Sequence, residues 1–379
     1  MKNAIETLIL TSLLALGSGC TTSQYGNEPT ITLQVNEKSI EDTTFLYAPH
    51  TICLESSDEA LIARIDKVIE WNQTLYILDK RRKQVVVFDT GGKHKYTLRR
   101  VGGGQGEYGS IIDASIDKKK NELVLLTDPS ALLRFDSQGN FINSQKLPAY
   151  YNSIVIDNNY TYLENDTYAN DHPTEYSITI LHDCHRTEIL KPLKELAPYC
   201  FIGGHQLSGS SPTMFTRKFD RTIYEITQEE INPLYHIDFA KETFPEEAKD
   251  KVYDCRELNS YAIKNRLVYL MTDVINSRKS LVFKTNLPGN IYILSKTDSI
   301  LSEYNVVYNS KYKFPLPKYT PITGEEGAIC FIVPASSLIN LRTLADKNPH
   351  AKVISPELAQ LLDNMKEEAN PIIFRYKLK

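Results

Sequence analysis

Residues 75–92 read LYILDKRRKQVVVFDTGG, and this stretch decides the fold. It contains two short apolar strands joined by a charged turn, followed by an Asp-x-x-Gly turn suited to a tight hairpin. The pattern returns at residues 123–139 as LVLLTDPSALLRFDSQG, displaced by 47 to 48 residues. A repeat of about 40–50 residues that is built from short strands predicts one blade of a β-propeller.

Weaker copies of the same pattern follow along the chain. Three groups of apolar strands lie within residues 153–181, 212–239 and 280–308, and AICFIV at 328–333 belongs to a sixth group. The strand at 372–378 is the last element, and terminal strands often close a propeller ring by completing a blade begun at the other end. Its predicted partner is an N-terminal strand, within 44–54 or within 61–69.

Two helices are predicted to interrupt the strands. The first spans 243–258, with Pro245 near its first turn and acidic residues where the helix dipole favours them. The second starts at Ser355 and stops before Asn370 and Pro371, with apolar residues spaced by three and four between them. The expected fold class is therefore all-β, with a short helical insertion and a C-terminal helix before the closing strand.

Composition supports a folded β protein and gives no case for nucleic-acid binding. The 379 residues are 41% hydrophobic, and 23 Tyr and 13 Phe far outnumber 1 Trp and 4 Met. Aromatic residues fit pleated, half-buried surfaces. The net charge is −4, from 43 basic and 47 acidic residues, whereas a nucleic-acid-binding domain is usually basic. We therefore expect no nucleic-acid partner.

The N-terminus indicates export. Residues 1–19 contain Lys2, a short apolar run at 8–16 and three small residues before Cys20. The run is too short to span a membrane and is typical of a signal peptide. Cys20 is the predicted lipidation site, although Gly17 stands where lipoprotein signals usually carry Leu; the alternative is an ordinary secretory signal with a chance cysteine. The predicted organisation is a signal peptide at 1–19, a polar tether at 20–43 and a propeller at 44–379.

The order of motifs resembles a known family. The quoted segments are ICLES at 52–56, the hairpin at 75–89, GGGQGEY at 102–108 and FDRTIY at 219–224. They are similar to the six-bladed β-propeller lipoproteins of Bacteroidetes, which are related to NHL-repeat propellers. The resemblance covers nearly all of 44–379 and is strongest over 52–140. It implies a lipid-anchored protein of the periplasm or outer membrane with no agreed catalytic residues.

A glycine-rich loop is the main candidate for ligand binding. Residues 104–109, GQGEYG, match the GxGxxG pattern, but a strand follows at 111–116 where a dinucleotide-binding loop needs a helix. Glycines let a backbone approach a ligand closely, and arginine side chains suit carboxylates or anionic glycans. The predicted ligand-binding residues are Tyr108, Glu107, Arg99, Arg100, Arg81 and Arg82. The alternatives are a structural turn, solvated arginines and a Tyr108 ring packed between two blades.

Signatures of metal sites and common enzymes are missing from the sequence. The 6 Cys form no CxxC pair, and the His and Cys residues at 182–185 match no standard zinc spacing. Residues 164–172 are rich in oxygen ligands but lack the Gly and Glu of an EF-hand loop. Calcium in a propeller channel stays open as an alternative. No GxSxG, HExxH or Walker A string occurs.

The sequence therefore predicts a monomeric envelope lipoprotein that binds or scaffolds a glycan, a peptide or a protein, without a cofactor. The alternative is a metal-dependent propeller enzyme of the lactonase or lyase type. A ring of Asp, Glu, Asn or His side chains converging on the propeller axis would favour the enzyme.

Overall fold

The computed structural model describes residues 28–165, 177–183, 185–189, 204–209, 212–249, 255–347, 355–363 and 365–379. The strands are β1 (Thr30–Glu41), β2 (His50–Cys53), β3 (Lys67–Trp71), β4 (Thr74–Asp79), β5 (Gln84–Asp89), β6 (His94–Leu98), β7 (Ser110–Asp117), β8 (Glu122–Asp128), β9 (Ala131–Phe135), β10 (Phe141–Lys146), β11 (Ser153–Asp157), β12 (Tyr160–Glu164), β13 (Ile178–His182), β14 (His185–Ile189), β15 (Leu207–Ser208), β16 (Thr213–Phe215), β17 (Thr222–Thr227), β18 (Glu230–Asp238), β19 (Met271–Asn276), β20 (Ser280–Thr285), β21 (Ile291–Ser295), β22 (Ile300–Asn309), β23 (Phe314–Leu316), β24 (Tyr319–Thr323), β25 (Ala328–Val333) and β26 (Ile372–Lys377). The helices are α1 (Asp42–Phe45), α2 (Glu246–Lys249), α3 (Cys255–Asn265), α4 (Ala335–Lys347) and α5 (Pro356–Leu362), with a 3-10 turn at Ala240–Glu242.

Most of these strands form four-stranded antiparallel units. Within the described residues the units are β3–β6, β7–β10, β11–β14, β15–β18, β19–β22, and β24–β26 together with β2. We number them one to six. The first strands of successive units contact one another in a closed cycle, β3 to β7, β11, β15, β19, β24 and back to β3. This closed, mostly β arrangement confirms the predicted propeller class.

The last unit joins the two ends of the chain. Strand β26 pairs antiparallel with β25 on one side and with β2 on the other, where Ile52 lies opposite Ile373. The prediction that the C-terminal strand closes the ring is confirmed, with its partner in the 44–54 segment. Ring closure also leaves fewer open sheet edges than a linear array would.

A separate hydrophobic cluster fills each space between successive units. In the described residues six such clusters occur, and a seventh packs α2 and α3 against the loop before β19. Both faces of a central strand are therefore buried, as in β4, where all six residues are buried. This explains why these strands read as continuous apolar runs rather than as an apolar–polar alternation.

The two Asp-x-x-Gly turns of the repeat have the same local structure. The Asp89 carboxylate accepts from the Gly91 and Lys93 amides at 2.9 Å each. The Asp136 carboxylate accepts from the Gln138 and Asn140 amides at 2.9 and 2.8 Å. Gly92 and Gly139 close the turns with φ of 91° and 82°, a region that glycine adopts without strain. The sequence repeat is thus a repeat of one hairpin.

One part of the sequence-based organisation is wrong, and one helix was missed. Residues 30–41, expected in the polar tether, form β1, which pairs in parallel with β18 and with β22 and so joins units four and five at their outer edges. Within the helix expected at 243–258, α2 and the start of α3 are helical, residues 250–254 lie outside the described residues, and α3 continues to Asn265. Helix α4 was not predicted. The second predicted helix is present as α5, where the Ser355 side chain accepts from the Leu358 amide at 3.2 Å, but it is shorter than expected.

Candidate functional site

The axis of the ring carries buried ion pairs. The Lys67 Nζ on β3 lies 2.9 Å from both carboxylate oxygens of Asp113 on β7. The Ile154 amide on β11 donates to the same carboxylate at 2.9 Å. Both charged side chains are almost fully buried, at 3% and 1% exposure. Asp113 therefore connects units one, two and three.

A second aspartate has the equivalent role across the ring. The backbone amide and the Nδ1 of His205 lie 3.0 and 2.9 Å from Asp273 Oδ1. The Lys284 Nζ lies 2.5 Å from Asp273 Oδ2. The Tyr319 hydroxyl donates to the Asp273 carbonyl at 2.9 Å. Because these groups come from β20, β24 and the segment before β15, Asp273 connects units four, five and six.

Electrostatics keep both aspartates ionised. Burial opposes the charge of Asp113, but Lys67 and other nearby cations outweigh burial and lower the pKa of its carboxyl. The pKa of Asp273 is lowered in the same way, with burial outweighed by Lys284 and His205. Burial lowers the pKa of the Lys67 ammonium, against the opposing effect of Asp113. A buried charge is tolerable when it is paired and hydrogen-bonded, and both aspartates meet that condition.

The axial cavity that Lys67 borders has little space for a ligand. It is lined in part by Lys67, Ser115, Asp157 and Thr323 and has a volume of about 20 Å³. That volume is close to the ~10–15 Å³ that one water molecule needs. Among the described residues, no group of three or more His, Cys, Asp or Glu side chains is arranged to hold a metal ion. The axial aspartates are instead bound to lysines, so their main effect is to join the units.

The predicted calcium and cysteine ligands are only partly within the described residues. Glu164 is described and accepts from the Ser153 hydroxyl at 3.1 Å, while residues 166–176 lie outside the described residues. Cys20, Cys184 and Cys200 also lie outside them. Cys53 and Cys330 have free thiols.

The structure places Tyr108 inside the protein. Its side chain is 1% exposed and packs in the cluster between units one and two. The hydroxyl donates to the Lys83 carbonyl at 3.1 Å and accepts from the Arg100 amide at 3.2 Å. Burial raises the pKa of this phenol. Tyr108 is therefore not available to stack on a ligand, and the alternative of inter-blade packing is the one that the structure supports.

Glu107 is exposed but points back at its own loop. Its carboxylate accepts from the Gly104 amide at 2.8 Å. A Cβ at Gly102 would lie 2.1 Å from that carboxylate, and one at Gly104 would lie 3.1 Å from it. These two glycines thus make room for Glu107, which explains part of the glycine run without any ligand. In contrast, a Cβ at Gly103 would meet no atom within 4 Å.

The four arginines do not form one site with the loop. Arg99 Nε donates to the Arg82 carbonyl at 3.2 Å, so these two residues are neighbours, and Arg81 is exposed beside them. Arg100 instead stacks over the Phe135 ring at 5.8 Å and donates to the Gly139 carbonyl at 3.4 Å. None of the four lines the cavity on the other side of the glycine loop.

That cavity has a volume of about 520 Å³. It is bounded by the glycine loop at 102–107, the turn at 129–131 and the end of β10 with the loop that follows it. Ser144, Lys146 and Tyr150 on its wall were missed by the sequence analysis, and Tyr150 is 43% exposed. The sequence offered one weak signal, a tyrosine in the loop between two blades. The glycine loop borders these residues because Gly106 packs against the Phe141 ring of β10.

Comparisons with known proteins agree with the fold. A model of the family "Domain of unknown function (DUF4934)" matches residues 30–377. The chain belongs to this family. The match starts at β1, which agrees with the inclusion of that strand in the sheets. No curated protein sequence matches the chain.

Solved structures share the architecture at low sequence identity. A protein of Bacteroides fragilis NCTC 9343, described as a "putative exported protein", has 16% identity and a TM-score of 0.75 over 92% of this chain and 99% of that one. A DUF4221 family member from Bacteroides vulgatus has 13% identity and a TM-score of 0.52 over 88% and 98%. Among the helices of the described residues, none is long and apolar enough to cross a membrane.

Proposed function

We propose that this family member is an exported, monomeric propeller of the cell envelope that binds a glycan, peptide or protein partner at the cavity beside the glycine loop. In this proposal the six four-stranded units are the six blades. The chain is anchored through a lipid on Cys20 and faces the periplasm or the outer membrane. It acts as a binding or scaffolding module, with no nucleic-acid partner and no cofactor.

The observation that carries the proposal is the size of the cavity beside the glycine loop. Ligand sites commonly have volumes of about 300–1,000 Å³. The cavity beside the glycine loop, at about 520 Å³, lies in that range. The cavity at the axis, at about 20 Å³, does not. The larger cavity also combines an exposed aromatic ring, Tyr150, with the amine of Lys146 and loop backbone, which are groups that fix glycans and peptides.

Position 103 allows this cavity to be filled without disturbing the loop. A Cβ there meets no atom within 4 Å, so Gly103→Ala leaves the surroundings intact, and Gly103→Trp adds a large side chain beside the cavity. Thermal unfolding checks that both variants fold. Binding to a glycan array and to an array of random 12-residue peptides would be measured for the wild type and both variants. We expect at least one array to bind the wild type and Gly103→Ala, and Gly103→Trp to lose that binding. No binding on either array, or full binding by Gly103→Trp, would contradict the proposal.

The anchor is tested separately. The signal-like residues 1–19 and the small residues before Cys20 support lipidation, and export is ascribed by name to the Bacteroides fragilis protein of the same fold. We expect Cys20→Ala to move the protein from the membrane fraction to the soluble fraction. Cys53→Ala is the matched control, because Cys53 is a free cysteine of the folded part. Equal membrane partition of Cys20→Ala and the wild type would rule out the anchor.

A further inference from the structure

Within the described residues, the outermost strand of unit two has an open edge. Among the described strands, β10 pairs with β9 alone. The corresponding outer strands of units four and five, β18 and β22, are both covered by β1 in parallel pairing. The fold therefore already accepts an additional strand at two of its outer edges.

The ladder register shows which groups of β10 face outward. Leu147 donates to the Ser130 carbonyl at 3.1 Å, and Gln145 and Asn143 lie opposite Leu132 and Arg134 in the same register. In an antiparallel ladder, alternate residues direct their backbone groups to the partner strand. The N–H and C=O groups of Ser144 and Lys146 therefore point away from β9. Among the described residues neither amide has a hydrogen-bond partner.

Strand β10 guards this edge against pairing with one charge, Lys146 at its last position. Exposed edges are commonly guarded by charges, short length or coverage. Strand β6 carries Lys95, β14 carries Arg186, and β2 has four residues. Strand β10 has the sequence FINSQK, with its single charge at the last position, and its Ile142 is 43% exposed.

The outward-facing residues of β10 coincide with the wall of the large cavity. Ser144 and Lys146 line it, whereas Asn143 and Gln145 do not. The two charged side chains on that wall are Glu107 and Lys146. Glu107 is bound by the Gly104 amide, and Lys146 has no ion pair among the described residues. Lys146 is therefore the cationic group on this wall with which a ligand carboxylate can pair.

We propose that the ligand is an extended peptide that adds to β10 as a fifth strand. Its main chain exchanges hydrogen bonds with Ser144 and Lys146, alternate side chains enter the cavity, and a carboxylate of the peptide pairs with the Lys146 amine. Strand addition of this kind takes affinity from main-chain bonds and specificity from pockets for alternate residues. This inference rests on the proposed function, because it uses the same cavity.

The test uses the tightest binder from the array of random 12-residue peptides and the full-length chain. Ser144→Pro removes the outward N–H but leaves the ladder to β9, since proline is accepted on an edge where the amide faces solvent. Ser144→Ala keeps the N–H and is the matched control. We expect at least a tenfold loss of affinity for Ser144→Pro, less than twofold for Ser144→Ala, and a several-fold loss for Lys146→Gln. Thermal unfolding checks that the variants fold.

A second measurement leaves the protein unchanged. Single N-methyl groups are placed along the selected peptide, and we expect loss of binding at every second residue, because alternate amides of an added strand bond to β10. Uniform tolerance of N-methylation, or unaltered binding by folded Ser144→Pro, would overturn strand addition. Binding of glycans alone, sensitive to Gly103→Trp, would overturn it and leave the proposed function standing. Absence of any ligand sensitive to Gly103→Trp would overturn both.

Discussion

The axis of the ring and the rim of unit two use polar groups in opposite ways. At the axis, Asp113 and Asp273 are buried, and each carboxylate is bound by a lysine and by backbone amides of other units. At the rim, the amides of Ser144 and Lys146 have no hydrogen-bond partner within the described part of the chain and border an open cavity. A buried polar group costs free energy unless it is satisfied, whereas an exposed group does not. The axis therefore holds the units together, and the rim has groups to offer a partner.

This contrast predicts that axial changes lower stability and that rim changes lower binding.

The largest effect is expected where the ring itself is opened. Deletion of residues 371–379 removes β26, which pairs with both β25 and β2. We expect loss of most of the ~5–15 kcal/mol that stabilises a domain, seen as aggregation and no cooperative melt. Lys377→Ala, an exposed change on the same strand, is expected to melt normally. A soluble truncated protein with an unchanged melting temperature would show that closure is dispensable.

The axial ion pairs are expected to rank next. Asp113→Asn leaves the Lys67 ammonium buried without its counter-charge, which costs about 3–5 kcal/mol. Denaturant unfolding measures this loss, and Asp273→Asn is expected to behave alike because Lys284 loses its partner. The double variant Asp113→Leu/Lys67→Met removes both charges and is expected to recover part of the loss. A cost below 1 kcal/mol for both single variants would mean that the pairs do not hold the units.

Tyr108 separates packing from ligand contact in the glycine loop. Because its ring is buried between units one and two, Tyr108→Ala is expected to cost about 3–5 kcal/mol in unfolding free energy. Tyr108→Phe keeps the ring and loses the hydrogen bonds to Lys83 and Arg100. We expect this to lower the unfolding free energy by about 1 kcal/mol. If Tyr108→Ala is as stable as the wild type, packing is not the role of this side chain, and Tyr108 is again a candidate ligand contact.

Features built from residues close in sequence could be predicted, and features built from distant residues could not. The hairpin repeat is local, so the turns at Asp89 and Asp136 could be predicted from the sequence, and the closing strand could be predicted as well. Strand β1 could not be predicted, because it pairs with residues more than 200 positions away and its sequence is polar. Asp113 and Asp273 had a usable signal, a carboxylate in the middle of an apolar first strand. The cavity left almost no signal in the sequence, because its wall combines a loop of one unit with the outer strand of the next.

A fall in pH is expected to remove the stability that the axial aspartates contribute. The carboxyl pKa values of Asp113 and Asp273 are lowered in the folded protein, so their contribution to stability is complete above the unfolded value near 3.9 and is lost as pH falls through the folded values. We expect about 1 kcal/mol of lost stability at pH 3 for Asp273 and a loss in the same direction for Asp113. Melting temperatures between pH 7 and pH 3 measure this loss. Asp113→Leu/Lys67→Met should lose less over that range, and an equal loss would assign the effect to other carboxylates.

The smallest expected change in stability is at the rim. Tyr150 is 43% exposed on the cavity wall, so Tyr150→Ala is expected to change the unfolding free energy by no more than about 0.5 kcal/mol. An exposed aromatic ring supplies a large contact area at little conformational cost. The same change is therefore expected to lower the affinity for the selected peptide at least tenfold. Tyr47→Ala is the matched control, because Tyr47 is 54% exposed and does not line this cavity. Tyr108→Ala should show the reverse pattern of lost stability with binding retained in the folded fraction. If Tyr150→Ala and Tyr47→Ala bind alike, the tyrosine on the cavity wall is not a contact, and the ligand is held by the edge of β10 alone.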